Sequence, residues 1–395
     1  MPERMTSVRD MLASLERCVA LEPKLLLPNR GMIREWGGFT LQRGARFLNN
    51  FLSNATSVMK EAPALLDAAE AVYEALEDQE HMTLVLVARA RLEQMRGVPK
   101  KATELYKEAD RRWRIPTNHT RLARASLDAS RGMLAIELGR LDLANRWLEA
   151  LFHEERHLEP ARFAGHKLAA EVALLQGRPN AAQYHIEQVH ARLSQRTASN
   201  LELWTISART RHNLAAGRPE VAIGQLEVHF ERLRDQGFLK FPTVEATLLR
   251  AFGWALASQL QREWMFDAAR RRELMRKLQA ATRRLAKLAT PEQTVERAQF
   301  ERLKARQECL QGRPRRALKI LDEAIADPEH IPGALEQAKF AEARSIVLEA
   351  LEREGASDLS EQANKMYDLL GICSPLILEG WPIPARMCAL TPDAG

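Results

Sequence analysis

Apolar residues recur along this chain at intervals of three and four. Ala164, Leu168, Val172 and Leu175 form one stripe, and Ala222, Leu226, Phe230 and Leu233 form another. That spacing puts the side chains on one face of an α-helix. Valine and isoleucine never fall in the alternating runs that strands require. The pattern predicts an all-α chain.

A second period overlies the first. Glycines at Gly97, Gly139, Gly177, Gly217 and Gly312 each stand five residues before an alanine: Ala102, Ala144, Ala182, Ala222 and Ala317. Nine residues after each glycine comes Tyr106, Leu148, Ile186, Leu226 or Leu321, and seven before it comes Ala90, Gly132, Ala170, Thr210 or Ala305. Glycine ends a helix in the left-handed conformation without steric cost. Proline two residues on, as in Gly177-Arg-Pro, Gly217-Arg-Pro and Gly312-Arg-Pro, suits the first turn of the next helix. The frame therefore predicts helix–turn–helix units whose helices approach closely and stack. The glycines are spaced 42, 38, 40 and 95 residues apart. The long gap has room for one more pair, over residues 243–289, without a glycine turn. A last pair is expected around Gly355, where Ser360 replaces the alanine, as suits an array end.

Residues 1–81 are expected to be a helical capping region. It has a helix over 1–20, an irregular Pro/Gly-rich stretch over 22–45, and helices from Leu41 to Lys60 and from Pro63 to Glu80. The repeat array is expected to run over 82–371. Pro160, Pro242 and Pro332 are expected to open helices, as is the capping sequence Thr290-Pro291-Glu292-Gln293. Four prolines between Ile372 and Gly395 exclude a single helix there, so the tail is expected to fold back over the last repeat or to dock into a partner.

The small residue, turn glycine, alanine and large apolar residue resemble the tetratricopeptide repeat family, over about Met82–Asp235 and Pro291–Ala326. A repeat of about 40 residues exceeds the usual 34. The longer form is similar to the helical regions appended to bacterial signal-transduction ATPases, kinases and transcription activators. The resemblance implies a right-handed α-solenoid of about seven or eight pairs with a regulatory or scaffolding role. Its first helices would line a concave groove that grips carboxylates of a bound peptide. No Walker loop or G-x-G-x-x-G accompanies it.

Four well-separated cysteines argue against a disulfide framework and suit a reducing cytoplasm. No apolar run reaches the roughly 18 residues of a membrane span. The net charge of +6 is concentrated: residues 262–319 hold 17 Lys and Arg against 7 Asp and Glu.

Three features invite a chemical reading. Arg89, Arg131, Arg209 and Lys304 stand eight residues before a turn glycine, and Arg91, Arg211 and Arg306 stand six before one. Stacked repeats would align these as cations of a partner-binding groove, selecting an acidic peptide or helix. The plainer reading has some of them lay their stems past the core. On the helix over 270–289, Leu274, Leu278, Ala281, Leu285 and Leu288 form the buried face. Arg272, Arg276, Arg283 and Lys287 form an opposite basic ridge. It would suit nucleic acid or another anionic surface, although charge runs usually serve solubility. His153-Glu154-Glu155-Arg156-His157 matches H-E-x-x-H, where His153 and His157 would grip zinc and Glu154 would activate water, with His166 or Glu171 as a third ligand. The motif lies in a well-marked repeat with no neighbouring strand and is read as accidental. His185 and His190 are read as ordinary surface or interface residues, and the seven tryptophans as packing anchors. The expectation is a non-catalytic protein-interaction module with no cofactor and no metal. A zinc-dependent hydrolase and a nucleic-acid binder are the alternatives.

Overall fold

A computed structural model describes residues 55–382 except 76, 113–117, 156–158, 192–199, 241, 263–267, 289–293, 327–332 and 374. Fifteen α-helices and no strand occur among the described residues. α1 is Ala55–Ala75. Hairpins follow: α2 Gln79–Met95 with α3 Pro99–Arg112, α4 Asn118–Glu137 with α5 Leu141–Glu155, and α6 Glu159–Leu175 with α7 Pro179–His190. The next two are α8 Asn200–Ala215 with α9 Pro219–Asp235, and α10 Pro242–Arg262 with α11 Ala268–Leu288. The last two are α12 Thr294–Leu310 with α13 Pro314–Ile325, and α14 Gly333–Ala350 with α15 Ala356–Leu370. α10 and α11 fill the 95-residue glycine gap.

The expected turns form by one mechanism. At Gly97 the backbone has φ +72°, its N–H donates to Gln94 O at 3.0 Å, and Val98 N–H donates to Glu93 O at 2.9 Å. This bond pair satisfies carbonyls that the ending helix leaves open. The other four turns repeat it. Pro99, Pro179, Pro219 and Pro314 are the first residues of their helices, where a missing N–H costs nothing. Ala102, Ala144, Ala182, Ala222 and Ala317 are fully buried, where a small side chain lets packed helices approach closely. At Gly132 a Cβ would come within 2.4 Å of Leu168 Cδ2, so α4 and α6 meet at near backbone contact.

Each helix packs on the next, and the first helices of successive hairpins also touch in series from α2 to α14. The array then returns on itself. Leu335, Ala338, Ala363 and Tyr367 of α14 and α15 share one core with Ile136, Leu141, Leu168 and Leu175 of α4 to α6.

Two expectations change. Pro63 does not open a helix: α1 runs through it from Ala55 to Ala75. Proline there deletes one hydrogen bond and crowds the carbonyl four residues earlier, and burial of Ala62, Leu65, Leu66 and Ala69 outweighs that cost. The start of the tail folds back against α14 of the last repeat, where Leu376 and Trp381 pack with Phe340 and Val347, but it also reaches beyond that repeat. A 3₁₀ turn at Pro375–Glu379 sits among α6, α8, α10 and α14. The expected helix over 1–20, the irregular stretch over 22–45, the capping sequence at 290–293 and the tail beyond 382 lie outside the described residues.

Candidate ligand-binding interior

The first helices turn a set of charged side chains toward the inside of the array, and most are already paired. Arg211 on α8 donates two hydrogen bonds of 2.7 Å to Glu171 on α6, and Trp204 Nε1 donates a third at 2.6 Å. Burial opposes charge on Glu171, but Arg211 and Trp204 prevail and hold the carboxyl below its ordinary range.

A second network centres on Arg302 of α12, which has no exposed surface. Its Nε and Nη2 each donate to Glu379 of the tail at 2.8 Å, and its Nη1 donates to Glu336 of α14 at 2.6 Å. Lys339 Nζ donates to Glu336 at 2.8 Å and to Glu379 at 3.2 Å. Burial would push the Glu379 carboxyl up, but Arg302 and Lys339 hold it at about 2. The rest of the tail locks in around this contact. Leu376 and Leu378 are buried, Cys373 N–H donates to Leu175 O at 2.8 Å, and Arg306 lies 5.5 Å from the Trp381 ring centre. Gly380 takes φ +76°, and a Cβ there would lie 2.2 Å from Trp254 O.

Among the described residues, three half-buried interior cations, and the more deeply buried Arg306 of α12, lack such partners. Arg91 on α2, Lys167 on α6 and Arg250 on α10 make no salt bridge among the described residues. Burial lowers the pKa of each. Lys167 Nζ lies 5.9 Å from the Trp204 ring centre, and the Arg250 guanidinium lies 5.9 Å from that of Trp254. Arg91 and Lys167 line a cavity of about 500 Å³ between α2, α4, α6 and the start of α12. Glu137 shares that wall, and burial pushes its carboxyl up to about 8, so it is largely protonated at neutral pH.

The remaining groove cations are placed differently. Arg89 bonds to Asp67 and Glu70, Arg131 pairs with Asp110 at 3.3 Å and stacks 4.1 Å over Trp147, and Arg209 pairs with Glu187 at 2.8 Å. Each of these acids belongs to the preceding helix, so these contacts tie neighbours together. Lys304 lies 3.8 Å from Glu301, and Arg306 donates to Gln261. Arg272, Arg276, Arg283 and Lys287 are all exposed along α11 and make no salt bridge among the described residues. Their neighbours Lys277 and Arg284 pair with Glu227 and Glu245.

His153 is exposed in the last turn of α5, while the Glu154 side chain and all of His157 lie outside the described residues. His166 and Glu171 are engaged elsewhere: His166 Nδ1 lies 2.9 Å from His185 Nδ1, and Glu171 holds Arg211. No group of three or more metal-ligating side chains occurs among the described residues. No helix there is long and apolar enough to cross a membrane. Trp204 and Trp254 prove to border the interior cations.

Sequence reasoning missed Lys167, Arg250, Arg302 and Glu379. One signal was available: Arg250, Arg302 and Lys339 all fall among the apolar positions of first helices, where a cation needs a reason. No family model matches this chain, and no curated protein matches it.

Proposed function

We propose that this chain is a non-catalytic, tetratricopeptide-like scaffold that holds an acidic peptide or helix of a partner protein against its concave interior. In this reading the hairpins form a right-handed solenoid of seven or eight pairs that works in the cytoplasm. The supporting observation is Glu379: a carboxylate on a short 3₁₀ turn, received by Arg302 and Lys339 from two first helices. The same interior surface carries Arg91, Lys167 and Arg250, which make no salt bridge among the described residues. Bidentate guanidinium contacts suit carboxylates, and lining a groove with them selects acidic ligands.

The test is affinity capture from a native extract with the full chain as bait, beside Arg91→Gln and Arg250→Gln baits. The reading expects a captured protein with an acidic segment, lost with either variant and displaced by a synthetic peptide of that segment. Capture that is indifferent to both substitutions would reject the groove as its site.

The exposed cations of α11 favour a second reading, attachment to a nucleic-acid backbone. It expects a mobility shift of DNA or RNA at low salt. Absence of a shift removes it.

A further inference from the structure

We propose that the interior cavity is a binding site for a small carboxylic acid with an apolar body. Its carboxylate would lie between Arg91 and Lys167, and its hydrocarbon part against Met95, Met133 and Val295. This inference gives Arg91 and Lys167 to a small molecule where the peptide reading gives them to a partner protein, and the experiment below separates the two.

The first argument is charge. Arg91 and Lys167 face the same cavity from α2 and α6, and neither has a salt-bridge partner among the described residues. The nearby acids offset them only in part: Glu171 favours the charge on Lys167, and burial still lowers that lysine's pKa. Glu171 is committed to Arg211 and Trp204, Glu296 is exposed at the rim, and Glu137 is pushed up to about 8 by burial. A protonated Glu137 adds a donor rather than a counter-charge. Arg91 and Lys167 are half-buried, and two like charges facing one partly enclosed cavity repel each other and are incompletely hydrated. An anion placed between them relieves both costs.

The second argument is shape and lining. A volume of about 500 Å³ falls within the roughly 300–1,000 Å³ of small-molecule sites. The wall joins convergent polar groups, Gln94, Ser126 and Ser130 beside the charged ones, to a smaller thioether and aliphatic surface at Met95, Met133 and Val295. Inorganic phosphate would leave that apolar surface unused. A planar carboxylate matches the Arg91 fork, and an attached chain of a few carbons covers the methionines.

The experiment is thermal unfolding of the full chain titrated with isovalerate and 3-phenylpropionate. The corresponding amides, inorganic phosphate and an N-acetylated, C-amidated acidic pentapeptide are run in parallel. A ligand that binds only the folded state raises Tm with concentration. The expected result is a saturable rise with the two acids and none with the amides or phosphate. Arg91→Gln and Lys167→Met should each weaken the acids by about tenfold or more, the usual worth of a charge-assisted hydrogen bond. Without ligand, both variants should unfold no earlier than wild type, because each removes one of two repelling, half-buried charges that form no salt bridge among the described residues; a structural role for these cations predicts early unfolding. No response to either acid, an equal response to the amides or to phosphate, or a response to the peptide alone each overturns the assignment.

Discussion

Glu379 and Arg302 lie 77 residues apart and join through two hydrogen bonds of 2.8 Å, one from Nε and one from Nη2, in a site closed to solvent. The pair makes the tail an internal strut. It ties α12 to a turn that also touches α6, α8, α10 and α14. Removing one partner of a buried pair strands the other charge, at about 3–5 kcal/mol. Glu379→Ala should therefore cost about that much in chemical denaturation. Arg302→Met combined with Glu379→Leu should cost less than either single change, because no charge is left unpaired. Additive losses in that double variant would contradict the account. Lys339 and Glu336 still neutralise each other in it, 2.8 Å apart.

The turn glycines allow a controlled comparison. Gly217 and Gly139 share a left-handed backbone, with φ +66° and +75°. A Cβ at Gly217 meets nothing within 4 Å, whereas one at Gly139 would come within 2.8 Å of both Leu370 methyl carbons. Gly217→Ala should cost about 1–2 kcal/mol, the conformational penalty alone. Gly139→Ala should cost more, because it also pushes α15 away from the α4–α5 turn. Equal losses in equilibrium unfolding would mean that α15 does not sit firmly there.

The contrast between these sites explains what was legible in the sequence. A turn glycine, its alanine five residues on and the proline that opens the next helix are local requirements, so they repeat visibly. The seat of the tail depends on how far the whole array curls. Nothing near Glu379 in sequence names Arg302 as its partner. The cation ladder divides into two sets. Arg209 and Arg211 are two residues apart, and helix positions two apart do not share a face. Arg209 therefore reaches back to Glu187 on α7, while Arg211 turns inward to Glu171. Counting both sets as one groove ignored that rotation. The break expected at Pro63 gave a single proline more weight than the buried face around it.

The outward set should matter little to stability. Arg209 and Glu187 are both partly exposed, and surface pairs of this kind contribute about 0–1 kcal/mol. Arg209→Ala should lower stability by no more than that, and by less still in 1 M salt. Arg211→Ala should cost several times more and show little salt dependence, since it strands Glu171 in the interior. Parallel denaturation curves at low and high salt check both statements.

Acid and base should act through different groups. Burial holds His229 down at about 4 from an ordinary 6.5, and Arg232, Arg209 and His190 press it in the same direction. The unfolded chain then binds a proton that the folded chain refuses. Stability from this group is complete above pH 6.5 and falls as pH drops toward 4. Glu137 works in the opposite sense. Burial raises it from 4.5 to about 8, Glu296 and Glu336 add to that rise, and a hydrogen bond from Gln94 and the Lys167 charge restrain it. The folded chain holds a proton that the unfolded chain releases, so this group lowers stability as pH climbs from 4.5 to about 8. Glu137→Gln should therefore gain on wild type progressively across that window, and His229→Gln should gain on wild type only below pH 6.5. Stability measured in denaturant at half-unit pH steps separates them. A Glu137→Gln difference that stays flat from pH 5 to 8 would show that the carboxyl ionises freely beside the cavity.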